Sequence, residues 1–81
     1  MGHTINYAGM EPAAAADKAV KDVKNWLGVK QFNKIVKILQ GKEGGFLPRS
    51  WAYTALEFNG VRGFPAKVMV DRYWNPGWLD L

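Results

Sequence analysis

The chain has no cysteine and only one histidine, His3, close to its N-terminus. Without cysteine there can be neither a disulfide framework nor a thiolate metal site. A single histidine with no second ligand at a suitable spacing also predicts that no metal is bound. No cofactor is expected, because the glycines at 41, 44 and 45 lack the flanking strand and helix of a phosphate-binding loop.

Long hydrophobic runs are missing as well. The longest uninterrupted run is the four alanines at 13–16, far short of the roughly 20 apolar residues that cross a bilayer. No segment has the charged-then-apolar layout of a signal peptide. These absences predict a soluble chain with no membrane span. They leave the compartment open, with the cytoplasm favoured over secretion.

Acidic residues are few relative to basic ones. Seven Asp and Glu face eleven Lys and Arg, which gives a net charge of +4. Such a surface attracts polyanions, although a hydrated lysine-rich surface is an equally ordinary interpretation. Apolar residues, in contrast, are abundant, since 48% of the chain is hydrophobic and four residues are Trp. At 81 residues this composition predicts a single domain over 1–81 with one small core.

The first half of the chain predicts helices. Residues 1–11 are polar and contain glycine, and they are expected to form an N-terminal arm or an edge strand, with a short strand at 4–8. Pro12 and the alanines favour a helix over 12–27, which Gly28 would end, and apolar periodicity predicts a second helix to residue 40. Residues 12–40 would then form a helical hairpin. The expected buried residues are Ala16, Val20, Val23 and Leu27, then Phe32, Ile35, Val36 and Leu39.

The second half predicts β structure over residues 46–74. Residues 51–58 are rich in aromatics, and Asn59-Gly60 suits a type I′ hairpin turn. Alternation over 67–74 predicts the next strand, with Gly63-Phe64-Pro65 as a bulge or edge turn before it, and the tail 75–81 returns to the core. The predicted fold is therefore α+β, with two N-terminal helices packed on a small antiparallel sheet of two to four strands.

The segment KEGGFLP, residues 42–48, begins a series of residues that resembles a known enzyme family. It is followed by Glu57, Arg62-Gly63, Lys67 and Asp71-Arg72-Tyr73. This series resembles the microbial guanyl-preferring ribonucleases related to barnase, and the resemblance implies a catalytic base at Glu57 and phosphate-binding cations at Arg62 and Lys67. The family ends in Asp-His-Tyr, so this chain replaces the histidine by Arg72. The candidate acid is then Tyr73, or His3 if the N-terminal arm folds over the site. The predicted order of helices and sheet is also similar to toxin ribonucleases of the RelE kind, which act without histidine.

Cleavage of RNA without a metal needs a base, cations that hold the phosphate, and an acid for the leaving group. The candidate catalytic residues are Glu57, Arg62, Lys67 and Tyr73. The candidate nucleic-acid-binding residues are Lys30, Lys34, Lys37, Arg49 and Arg72. The expected function is a small basic RNA-binding protein, with metal-independent endoribonuclease activity of toxin type as its catalytic form.

Two interpretations without catalysis stay open. A protein-interaction subunit of a larger assembly would use an aromatic patch of Trp51, Trp74 and Trp78. A small helix-turn-helix-like DNA-binding module would place the lysine-bearing second helix in the major groove. The expected partners are therefore RNA, DNA, or a protein that is either an inhibitor or a larger assembly.

Overall fold

The computed structural model describes residues 7–75, and these form four α-helices. The helices are α1 (Pro12–Leu27), α2 (Val29–Leu39), α3 (Arg49–Phe58) and α4 (Phe64–Tyr73). No residue in this described range belongs to a strand, so the predicted α+β fold with an antiparallel sheet is wrong. The expected strand at 4–8 lies mostly outside the described residues, and so does nearly all of the tail 75–81.

The two N-terminal helices confirm the helical segments that the sequence predicts. α1 begins at Pro12, where the missing N–H leaves no helical hydrogen bond unmade. It ends before Gly28, whose N–H donates to the carbonyl of Lys24 over 2.9 Å. α2 follows after this single residue and ends at Leu39, one residue before the predicted limit.

The buried faces of these helices agree with the sequence only in part. The buried side chains are Ala15, Ala19 and Val23 in α1, and Phe32, Ile35 and Leu39 in α2. The α2 residues all belong to the expected stripe, whereas in α1 only Val23 does. The buried face of α1 is therefore turned towards two alanines, whose small side chains allow α4 to pack closely.

The predicted β region contains α3 and α4 instead of strands. Pro48 immediately precedes α3, and Pro65 lies in the first turn of α4. Proline is well tolerated there because the first N–H groups of a helix have no partner within the helix. The sequence Gly63-Phe64-Pro65 is consequently the start of a helix, and the expectation of a bulge is wrong.

Asn59-Gly60 ends α3 and does not turn a hairpin. Gly60 has φ 79°, but Asn59 has φ −99°, whereas a type I′ turn needs positive φ at both residues. The Gly60 N–H donates to the Glu57 carbonyl, and the Val61 N–H donates to the Leu56 carbonyl, each over 2.9 Å. These two bonds form a Schellman C-cap, which also requires glycine with positive φ.

The other three helices pack around α4, which contacts each of them. α1 and α3 do not contact each other, so they lie apart on the molecule. α2 also touches α3, and the chain returns to α2 after α4, where the Asn75 N–H donates to the Leu39 carbonyl over 2.9 Å. The core therefore lies between α4 and its three neighbours, and the surface between α2 and α3 is left accessible.

Candidate functional site

α3 carries apolar side chains on two different faces. Ala52 and Leu56 are fully buried in the core. Trp51 and Phe58 are 67% and 87% exposed, and Ala55 lies between them, because positions 51, 55 and 58 share one side of a helix. α3 therefore presents a second apolar stripe, which the described residues leave uncovered.

This stripe forms one wall of an apolar groove of about 430 Å³. We call it the groove, and its lining residues are Ile38, Leu47, Trp51, Thr54, Ala55 and Phe58. Besides the indole of Trp51, the polar side-chain group in this lining is the Thr54 hydroxyl, which donates to the Ser50 carbonyl of its own helix over 3.2 Å. The groove thus offers apolar contact with very little hydrogen-bonding capacity of its own.

Hydrogen bonds position the walls of the groove. The indole N–H of Trp74 donates to the carbonyl of Leu47 over 2.9 Å and holds the connection between α2 and α3. At the other end of α3, Gln31 Nε2 of α2 donates to Asn59 Oδ1 over 3.0 Å. These contacts tie the connection to the end of α4, and α2 to the end of α3.

At one border of the groove lies a small charged depression. Glu57 and Arg62 line it together with Thr54 and Phe58, and its volume is about 150 Å³. It shares Thr54 and Phe58 with the groove, so the two are continuous. Of the four candidate catalytic residues, the structure brings Glu57 and Arg62 together here.

Lys67 and Tyr73 lie elsewhere on α4. Lys67 Nζ donates to Asp71 Oδ2 over 2.8 Å, and this hydrogen bond, followed by the charge of Asp71, raises the pKa of the Lys67 ammonium. The Tyr73 ring packs edge-on against Phe32, with 6.3 Å between ring centroids. Neither side chain lines the depression, because the strand alternation that would have grouped them is replaced by helices.

The candidate nucleic-acid-binding residues divide into two groups. Arg49 contacts Asp71 at 3.3 Å and Arg72 contacts Asp17 at 2.6 Å, so each arginine has a carboxylate partner. Lys30, Lys34 and Lys37 share the outer face of α2 at i, i+4 and i+7, and we call them the lysine strip. With Gln31, Asn33 and Glu43 they line an open depression of about 550 Å³.

The lysine strip runs beside the groove. Lys34 lies one helical turn before Ile38, which is a groove residue, and residues four apart project from the same side of a helix. Glu43 contributes one carboxylate to a depression with three ammonium groups, so this border of the groove is positive.

Sequence reasoning identified part of this site. Trp51 of the expected aromatic patch does lie exposed in the groove, whereas Trp74 is partly buried against the core and Trp78 lies outside the described residues. Phe58 and Ile38 were missed. The signal that could have found them is the apolar spacing at 51, 55 and 58, next to a second apolar pair at 52 and 56. Both spacings are those of a helix and not of a strand.

The short connection between α1 and α2 does not support the helix-turn-helix-like DNA-binding alternative. A single residue, Gly28, joins them, whereas helix-turn-helix motifs use a turn of about three to four residues.

Among residues 7–75, no helix combines the length and hydropathy needed to cross a bilayer, as the sequence predicts. In the same range, no cluster of three or more His, Asp or Glu side chains could hold a metal ion.

Comparison with known proteins adds no family assignment. No protein-family model, no curated protein and no solved structure matches the chain.

Proposed function

We propose that the chain is a protein-interaction module whose groove binds the apolar face of an amphipathic helix from a partner protein. The observation that carries this proposal is the exposed pair Trp51 and Phe58, placed along a groove of almost wholly apolar lining. Aromatic side chains, and Trp above all, supply much of the binding energy at protein interfaces.

The spacing of the pair suits a helix. Trp51 and Phe58 are seven residues apart on α3, which corresponds to about 10 Å along the helix axis. Apolar anchors at i, i+3, i+4 and i+7 of a second helix cover the same length, and this is the pattern by which helices dock into grooves. A partner helix lying along α3 would contact both aromatics at once.

The fold disfavours a β-strand peptide as the occupant. Peptides of this kind add a strand to a sheet edge, where the edge satisfies their backbone hydrogen bonds. Residues 7–75 contain no strand, so the described part of the chain offers no such edge. A helix makes its backbone hydrogen bonds internally, so it needs only apolar contact from the groove.

A small molecule also fits the groove less well than a helix. Small-molecule sites enclose most of the ligand and add a few polar groups that orient it. Here Trp51 and Phe58 project into solvent at the rim, and the Thr54 hydroxyl is already used by the backbone. A ligand that filled the groove alone would leave both aromatic side chains largely exposed.

The proposal is tested with helical peptides of defined composition. A display library with apolar positions randomised at i, i+3, i+4 and i+7 is selected against the folded protein, and a selected peptide is titrated into ¹⁵N-labelled protein. We expect amide shifts at Ile38, Leu47 and α3 residues, and an affinity at least about tenfold weaker for the double variant Trp51→Ser, Phe58→Ser.

The matched control is Val29→Ser. Val29 is 59% exposed, but it is not a groove residue, so its substitution removes exposed apolar surface without touching the site. Binding should be unchanged in this variant. Selected peptides that bind the Trp51→Ser, Phe58→Ser variant as tightly as the wild type, or a selection that enriches no peptide, would overturn the proposed function.

A second candidate function is RNA binding by the lysine strip. Lys30, Lys34 and Lys37 line one open depression, which is the arrangement that phosphate contacts require. The geometry supports binding over cleavage, since Lys67 and Tyr73 lie away from Glu57 and Arg62. Salt-dependent RNA retention that Lys34→Glu with Lys37→Glu abolishes would favour this candidate.

A further inference from the structure

The borders of the groove carry an excess of positive charge, whereas its lining is apolar. The lysine strip borders it on α2, and Arg62 borders it beyond Phe58. The carboxylates in these two depressions are Glu43 and Glu57, so cations outnumber anions around the groove. An occupant of the groove therefore has its flanks in a positive field.

We infer that the partner helix is acidic along the flank that faces α2, with Asp or Glu beside its apolar stripe. This inference rests on the proposed function and adds the chemical class of the partner. Lys34 is the central contact, because it lies one turn from the groove residue Ile38 and carries a mobile ammonium that reaches towards a bound helix. Lys30 and Lys37 extend the same contact along α2.

A second copy of this chain is the less favourable occupant. In a symmetric dimer each subunit contributes the same surface, so a groove-to-groove contact would bring two lysine strips to one interface. Like charges placed together at an interface oppose association. An acidic helix supplies the opposite charge, and its side chains need not be buried in order to act.

The charges are expected to affect selectivity more than total affinity. Charges at the rim of an interface stay hydrated, and they mainly increase the rate of association and exclude partners of the wrong sign. Exposed ion pairs are individually weak. Two or three such pairs distinguish otherwise identical helices by about fivefold to tenfold at low salt, and less at high salt.

The experiment uses three peptides with one apolar face, taken from the selected helix, and flanks of Glu, Gln or Lys. Each is titrated into the full chain in its wild-type form and as the variant Lys34→Glu, Lys37→Glu. We expect the Glu-flanked peptide to bind the wild type about fivefold to tenfold more tightly than the Gln-flanked peptide. In the variant this order should reverse, so that the Lys-flanked peptide binds best.

The matched control is Lys21→Glu, Lys24→Glu. These lysines lie on α1, which contacts α2 and α4 but not α3, and neither lines the groove or its charged borders. Their substitution changes the net charge by the same amount. The order of the peptides should stay as in the wild type. Reversal in the control as well would mean that net charge, and not the lysine strip, selects the peptide, and it would overturn the inference.

The remaining outcomes separate this inference from the proposed function. If all three peptides bind equally and Trp51→Ser, Phe58→Ser weakens them all, the inference is wrong and the proposed function stands. If none binds, the proposed function fails and the inference falls with it. A last outcome concerns single-stranded RNA and the groove variant, Trp51→Ser with Phe58→Ser. RNA displaces the Glu-flanked peptide only from proteins that retain Lys34 and Lys37, and the groove variant still binds both the RNA and the peptide. The lysine strip then binds polyanions independently of the groove, and the inference is overturned.

Discussion

Gly41 shows how a single residue shapes the connection that leads to the groove. It follows the C-cap of α2 with φ 77°, and its N–H donates to the Ile38 carbonyl over 3.1 Å. The Phe46 ring lies directly over it, so that a Cβ at residue 41 would be 2.1 Å from a ring carbon. Glycine is therefore required for its backbone conformation and for the space that the ring occupies.

We expect Gly41→Ala to destabilise the protein more than Gly44→Ala. Gly44 has φ 82°, but a Cβ there would meet nothing within 4 Å, so alanine costs about 1 kcal/mol for the backbone conformation alone. At Gly41 the displaced Phe46 ring adds about 1 kcal/mol. Urea unfolding measures both changes. In a Phe46→Ala background the two substitutions should cost the same, and a persistent difference would contradict the steric explanation.

Tyr7 and Asp22 of α1 form a partly buried polar contact. The Tyr7 hydroxyl donates to Asp22 Oδ2 over 2.9 Å, Lys18 Nζ contacts the same oxygen at 3.0 Å, and the Asp22 side chain is only 13% exposed. Burial alone would raise the pKa of the Asp22 carboxyl, but the hydrogen bonds from Lys18 and Tyr7 outweigh it and lower the pKa. Burial and the neighbouring carboxylate raise the pKa of Tyr7.

The lowered pKa of Asp22 predicts a pH-dependent contribution to stability. A carboxyl whose pKa is lower in the folded state stabilises the fold above its unfolded pKa of about 4, and this contribution is lost as the pH falls through the folded pKa. Tyr7→Phe keeps the ring against Phe64 but removes the hydroxyl, so it should cost about 1 kcal/mol at pH 7. In urea unfolding this cost should shrink below pH 4. In an Asp22→Asn background it should show no such pH dependence, and a cost that grows on acidification would contradict the assignment.

Among the helices, the sequence predicts α1 and α2 well because each has one clear polar face. In α2, lysines at 30, 34 and 37 alternate with buried Phe32, Ile35 and Leu39, and this exposes the helical period. The glycines after both helices supply stop signals that do not depend on tertiary structure. Local chemistry was sufficient there.

α4 could not be recognised in the same way. It contacts three helices and buries Pro65, Ala66, Val68, Met69 and Val70, so its apolar residues do not follow one face. A short apolar segment of this kind has no period that distinguishes a buried helix from a strand. The alternation of Val68 and Val70 with Lys67 and Asp71 then predicts a strand, and the prediction fails at Met69, which is fully buried beside them.

Asn59-Gly60 was ambiguous for a different reason. Both a type I′ turn and a Schellman cap need glycine with positive φ, and Asn is acceptable before it in either. The deciding contact is between Val61 and Leu56, which are both fully buried and which the cap brings together. The site depended on this choice, because Trp51 and Phe58 line one groove only if residues 51–58 are helical.

The helical assignment of α3 predicts unequal roles for two residues that a strand would have made equivalent. Residues 56 and 58 would point to the same side of a strand, but on α3 Leu56 is fully buried and Phe58 is 87% exposed. Leu56→Ala should lower the free energy of unfolding by about 2–5 kcal/mol, whereas Phe58→Ala should change it by less than about 0.5 kcal/mol. Urea unfolding followed by circular dichroism measures both. Similar costs for the two variants would contradict the burial pattern of α3.

At the scale of the whole molecule, a small core is combined with a large uncovered apolar surface. α4 contacts each of the other helices, and among the described residues the two most exposed large apolar side chains, Trp51 and Phe58, both lie on α3. Contiguous apolar surface of this kind marks interaction sites in soluble proteins. Under the proposed function, the positive lysine strip beside it should select which surfaces approach and should oppose a second copy of the same chain.

Self-association should therefore increase with salt. At low ionic strength, repulsion between lysine strips keeps the 9.1 kDa chain monomeric, and at about 1 M salt the screening length falls to about 3 Å and the apolar grooves are free to meet. Sedimentation at increasing NaCl should show a rising mass for the wild type, and Lys34→Gln with Lys37→Gln should produce the same rise at lower salt. Trp51→Ser with Phe58→Ser should stay monomeric throughout. Association that decreases with salt would contradict repulsion by the lysine strip. Association that persists in the variant Trp51→Ser with Phe58→Ser would place the contact on another surface.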